Sequence, residues 1–165
     1  MFDIRNSADF YRKCLDDYEA LLENPAYASS AINCAMSSYH LAEWIWGDWL
    51  KTNHVLKASL KVKTCDDFKE WVDAQCPFFK TVQSIANGSK HFNRSVSGTT
   101  AKIEAVVEVD GEDMERQHLV VLMDDNSIRS FEDIIQVVLT FWHDFMEANS
   151  DYKELKRPAD IERKS

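Results

Sequence analysis

The sequence predicts a mainly α (α+β) chain: a four- or five-helix bundle with a small β-hairpin or sheet inserted before its last long helix. Three observations predict it. Four glycines and three prolines in 165 residues are too few for the turns of a many-stranded sandwich or barrel. Several segments carry apolar residues at three- and four-residue spacing, the period of an amphipathic helix. A single segment near residue 105 alternates apolar and polar residues, the period of a half-buried strand. Nine Phe, five Tyr and five Trp supply the apolar surface for a core and exclude a disordered chain.

The elements follow in order. Phe10, Cys14, Leu15, Tyr18, Leu21 and Leu22 mark a helix over Ser7–Leu22, stopped by Asn24-Pro25. Tyr27–Leu50 is the strongest segment. Ile32, Ala35, Met36, Tyr39, Ala42, Trp46 and Trp49 form its apolar stripe, flanked by Ala31, Cys34, Leu41 and Ile45. A helix apolar around most of its circumference belongs in the middle of a bundle. A lysine-bearing connector leads to a short helix, Asp66–Ala74, opened by Thr64 and Asp67 at capping-box spacing. Pro77 suits the first turn of the next helix, through Phe78, Phe79, Val82, Ile85 and Ala86.

After the polar stretch Arg94–Thr100, Ala101 to Val109 reads as a strand, Val109-Asp110-Gly111 as a turn and Leu119–Met123 as a second strand. Ser130 and Asp133 repeat the capping-box spacing before a helix through Ile134, Val138, Phe141, Trp142 and Phe145. The expected organisation is one domain over residues 1–148, with the β insertion at about 99–124, followed by a charged, flexible tail over 149–165.

The charge balance is acidic, with 28 acids against 19 bases. Nine of those bases, with only four acids, fall between Lys51 and Ile103. An acidic whole with a basic middle repels double-stranded DNA along most of its surface, yet retains cations enough to hold one anionic group in one place. The N-terminal stretch is no signal peptide, and no apolar run is long enough to span a membrane, so a cytoplasmic location without membrane contact is expected. Four cysteines without C-x-x-C spacing read as small buried hydrophobes in a reducing compartment.

Chemistry concentrates on three polar stripes at helical spacing: Asn33, Ser37 and His40 with Glu43 and Asp48 beside them; Lys80, Ser84, Asn87 and His91; and Gln136, Thr140, His143 and Glu147. These are either the wet sides of three helices or the walls of a shared cleft. No nucleotide-binding glycine loop and no nucleophile elbow is present. The Glu-x-x-His pairs of di-metal bundles are missing from the predicted helices, where His40-x-x-Glu43 is the reverse order. No metal or cofactor is expected, although a site built from His40, His91 and His143 stands as an alternative for a metal or small-molecule enzyme. The segment Gln83–Phe92 turns abruptly from apolar to polar. If its helix continues, Asn87, Lys90, His91 and Arg94 project together, pairing a proton-transfer group with two cations for a phosphate. If Asn87-Gly88 ends the helix, the same residues merely complement its dipole.

The succession Asn33-Cys-Ala-Met-Ser-Ser-Tyr-His-Leu-Ala-Glu-Trp44, Cys76-Pro77, Ile85-Ala-Asn-Gly-Ser-Lys-His91 and Phe141-Trp142 resembles a group of short bacterial and phage-associated proteins. That group is similar to the HEPN superfamily of helical bundles. The resemblance covers most of residues 7–147 and is most specific at Asn87-x-x-Lys90-His91. It implies a HEPN-like bundle that acts on RNA in a prokaryotic defence or toxin-type system, as a homodimer or with a cognate protein partner, and possesses metal-independent endoribonuclease activity where it is catalytic. His91, with Asn87 and Lys90, would then be catalytic, and Arg94, Lys80, Ser84, His40 and Glu43 would bind substrate. The family's arginine, which precedes the histidine with four to six residues between them, has no counterpart, since those positions are Ser84, Ile85 and Ala86. A non-catalytic interaction or dimerisation module is therefore the second reading.

Overall fold

A computed structural model describes the backbone of residues 3–90, 103–110 and 114–162, with all of their side chains except those of 89–90, 103–110 and 114–117. Helix α1 spans Ser7–Glu23, with Asn6 as N-cap accepting the Asp9 N–H. Helix α2 spans Ala28–Asp48 and touches α1, α4, α5 and α6, the central position its sequence predicts. Its deepest face is the expected flank together with Ala35 and Ala42, the small residues of the expected stripe. Ala31, Cys34, Ala35, Leu41, Ala42 and Ile45 are fully buried, while Ile32, Met36, Trp46 and Trp49 are half-buried. Small side chains let neighbouring helices approach α2 closely, and the wide indoles fit only at the margins of that contact.

The expected lysine-bearing connector holds a 3-10 turn, Leu50–Thr52, and helix α3, His54–Leu60. Helix α4 runs over Cys65–Gln75, and its capping box is complete in both directions between Thr64 and Asp67. Helix α5 runs over Phe79–Lys90. Pro77 is not in its first turn; Phe78 takes a left-handed φ of 71° and starts the helix two residues later than expected. Helix α5 continues through Asn87 and Gly88, so the alternative of a stop at Asn87-Gly88 is overturned.

The insertion is a three-stranded antiparallel sheet in the order β1-β2-β3, formed by Ile103–Asp110, Met114–Leu122 and Ile128–Ser130. Strand β2 begins five residues before the expected Leu119, opposite β1 with Ala105 facing Leu119. The Leu119 N–H donates to Pro25 O at 3.1 Å, and Val121 is fully buried, which pins the sheet to the bundle. Helix α6, Phe131–Asn149, follows β3 directly. Ser130 is its N-cap residue but makes no side-chain cap, so the second capping box does not form.

The core is aromatic. Phe68 of α4 lies 5.5–6.3 Å from the rings of Trp46, Trp71, Trp142 and Phe145, and the buried Trp142 N–H donates to Ser38 O. Cys14, Cys34 and Cys76 are buried, and burial pushes the Cys14 and Cys76 thiols up to about 12. Among the described residues no helix is long and apolar enough to cross a membrane.

The expected flexible tail instead folds back over α1 and α6. Tyr11 O–H donates to Lys156 O, Leu155 N–H donates to Glu147, and Pro158 and Ile161 are buried. Its charged side chains conceal the cause, because backbone groups of the tail make most of these contacts.

Candidate functional site

The first polar stripe forms the best-connected cluster. On α2, His40 and Glu43 stand one helical turn apart, with His40 Nδ1 3.1 Å from Glu43 Oε2. The other carboxylate oxygen accepts a hydrogen bond from Lys69 Nζ of α4 at 2.7 Å. The same ammonium lies 5.2 Å from the centre of the Tyr39 ring, and the Tyr39 hydroxyl accepts from Gln83 Nε2 of α5 at 3.3 Å. Three helices thus converge on one polar chain, from Gln83 through Tyr39 and Lys69 to Glu43 and His40.

Electrostatics keep this chain charged. Partial burial works to raise the Glu43 carboxyl, but the hydrogen bonds and charges of Lys69 and His40 outweigh it and hold the group below the ordinary carboxylate range. Partial burial likewise opposes charge on Lys69, and Glu43 overcomes this and raises the ammonium above its usual value. With Nδ1 turned to Glu43, His40 Nε2 on the far side of the ring has no partner among the described residues and is open to a solute. A carboxylate that fixes the tautomer of a partly exposed imidazole is the arrangement of a proton-transfer group.

An open recess of about 480 Å³ adjoins Glu43, lined also by Arg5, Trp44, Gly47 and Asp48. A Cβ at Gly47 would meet nothing within 4 Å, so its floor is uncrowded. Asp48 Oδ2 accepts the Ser7 N–H and O–H and the Tyr152 O–H at 2.7–2.9 Å. Those bonds outweigh partial burial, which acts the other way, and hold Asp48 below its usual value.

The other sequence-predicted residues are placed apart. Asn33 is exposed, and Ser37 is buried with its hydroxyl on Asn33 O. Lys80 is exposed beside the β2–β3 turn, lining a hollow with Thr81, Asp125 and Arg129, away from the partners of His40. Ser84 is half-buried and Asn87 is exposed. Lys90 closes α5, while His91 and Arg94 lie outside the described residues. His143 and Glu147 hold the C-terminal segment, with His143 Nε2 3.1 Å from Leu155 O. The third stripe is therefore a tail clamp, and His40 and His143 have separate partners. Among the described residues no group of three His, Cys, Asp or Glu side chains gathers as a metal site.

Sequence reasoning missed Lys69, Tyr39 and Gln83 as site residues. The i, i+3 spacing exposes the His40–Glu43 pair, but Lys69 is 26 residues from its carboxylate and no local pattern marks it. No protein-family model, curated protein or solved structure matches the chain.

Proposed function

We propose that the protein is a HEPN-like, RNA-interacting member of a prokaryotic defence or toxin-type system, acting as a homodimer through Trp-rich helix surfaces and on RNA through the polar end of α5. The observation that carries this reading is the unbroken helix from Phe79 to Lys90. It sets Asn87 and Lys90 one turn apart on one side of α5, and His91 follows directly in the chain. In a cleavage reaction His91 would take the proton of a ribose 2′-hydroxyl, whose oxygen attacks the adjacent phosphorus and expels the 5′-oxygen, which takes a proton from water. Lys90 would offset charge on the phosphate. The products are a 2′,3′-cyclic phosphate and a 5′-hydroxyl, and no metal takes part.

One observation favours the second reading, binding without cleavage. Of the positions where the family carries its arginine, Ile85 and Ala86 face the core and Ser84 is half-buried, so α5 has no guanidinium to offer the phosphate there. One experiment separates the two. Structured and unstructured RNAs are incubated with the protein in EDTA, and both binding and cyclic-phosphate ends are followed. Cleavage that His91→Ala abolishes with an unchanged melting temperature establishes the nuclease. Retention of RNA without cleavage establishes the module, and RNA neither bound nor cut by the protein ends both.

A further inference from the structure

A groove of about 670 Å³ separates the Leu50–Thr52 turn and the start of α3 from the end of α6, a volume typical of small-molecule sites. It shares no lining residue with the Glu43 recess, and the reading above does not use it. Trp49 and Tyr152 line it with aromatic rings, and both rings are held from outside the groove. The Trp49 indole N–H donates to Ser7 Oγ at 3.1 Å and its ring stacks 5.9 Å from Phe145. The Tyr152 hydroxyl donates to Asp48 at 2.8 Å. Two anchored rings give the groove a fixed apolar lining rather than an adaptable one.

Its charge has one sign. Asp151 lines the groove, is exposed, and forms no ion pair among the described residues. Among the described residues no lysine or arginine lines the groove. Asn149, where the 19-residue α6 ends, is also in the lining, but the last carbonyls of that helix are already taken by Asn149 Nδ2, Ser150 and Lys153 Nζ, which leaves Asp151 as the charge open to a guest. An anion is repelled here, and a purely apolar guest would strip water from Asp151 with no compensation. A cation with methylene groups meets both kinds of surface, the carboxylate and the aromatic rings.

We propose that this groove binds an organic alkylammonium ion of the aliphatic polyamine class, with Asp151 pairing an ammonium and the Trp49 and Tyr152 rings covering the adjacent methylenes. The net charge of −9 draws such cations toward the whole surface, and the groove fixes where one settles.

The test titrates spermidine, and separately magnesium, into the full chain. Backbone amide shifts are read by NMR. Spermidine is expected to give saturable shifts confined to residues 49–55 and 149–152, which magnesium does not reproduce. Asp151→Asn weakens spermidine binding by about fivefold. Val55→Lys weakens it by about tenfold, because this 83% exposed rim residue would place its own ammonium in the groove at little cost to folding. Asp124→Asn, the same charge change at the β2–β3 turn, leaves the affinity unchanged. Shifts scattered over the acidic surface, no saturation at millimolar spermidine, or equal losses in Asp151→Asn and Asp124→Asn would overturn the proposal.

Discussion

Two histidine–carboxylate pairs of similar length sit in different parts of the bundle, and they are put to different uses. His40 Nδ1 lies 3.1 Å from Glu43, and His143 Nδ1 lies 2.8 Å from Asp144. The difference is at the second ring nitrogen. His40 Nε2 meets no partner among the described residues, and its side chain keeps 25% of its exposure. His143 Nε2 faces Leu155 O, and its side chain is 6% exposed beside Tyr11. Both His143 nitrogens therefore face an acceptor of the protein, a carboxylate on one side and a carbonyl on the other. A histidine whose two nitrogens are spoken for is a structural tie, whereas one oriented by a carboxylate and open at the far side is available for chemistry.

Removing each ring tests that division most directly. His143→Ala leaves a hole beside Tyr11 and frees the tail, and is expected to cost about 2 kcal/mol. Urea unfolding measures the loss, and amide exchange at 152–157 should accelerate in step with it. His40→Ala, at the surface, is expected to cost under about 0.5 kcal/mol and leave that exchange unchanged. Equal costs at the two positions would erase the distinction.

The helices that carry the pairs offer a finer test. Thr64 caps α4, which presents Lys69 to Glu43, and its hydroxyl accepts the Asp67 N–H at 3.1 Å. Ser130 stands at the same place before α6, which presents His143, but caps nothing with its side chain. Thr64→Ala should therefore cost about 1 kcal/mol in urea unfolding, and Ser130→Ala no more than a few tenths. Both residues begin the same Ser/Thr-x-x-Asp pattern. The pattern marks where a helix starts, and whether the hydroxyl turns inward depends on the chain before it. Thr64 follows a loop, whereas Ser130 ends a strand paired through Val120.

That contrast shows what was legible in the sequence. Long helices announce themselves because one face must be apolar: α1, α2 and α4 begin and end within a residue or two of their expected limits, and α6 begins where Ser130 marks its start. Helix α3 does not announce itself, since its seven residues are fully buried nowhere and offer only Leu56 and Leu60, half-buried against the core, as an apolar pair. The tail misleads for a related reason. Its side chains are those of a solvated segment, while Leu155 and Lys156 are held by their backbone groups, which every residue possesses. In the site, His40 and Glu43 were legible as neighbours on a helix. Lys69 was not, because its approach to Glu43 depends on Phe68, the residue before it, packing into the aromatic core.

Acid is the mildest way to sharpen the comparison. The Glu43 carboxyl is held below the ordinary range, after partial burial is outweighed by Lys69 and His40. A carboxylate with a depressed folded value contributes stability that is fully present above its unfolded value, about 4.3 for Glu, and lost as pH falls through the folded one. Lys69, raised by Glu43 against the opposing effect of its burial, does the reverse. Its share is present below the unfolded value of about 10.4 and is lost as pH climbs through the higher folded one. Solvent screens the half-exposed pair, so the expected loss on acidification is under about 1 kcal/mol and shrinks further in salt. Urea midpoints taken from pH 6 downward should fall less steeply in Glu43→Gln than in the wild type. An unchanged slope would mean that Lys69 and Glu43 are neighbours without being coupled, and the open pair would lose the anchor that orients its imidazole.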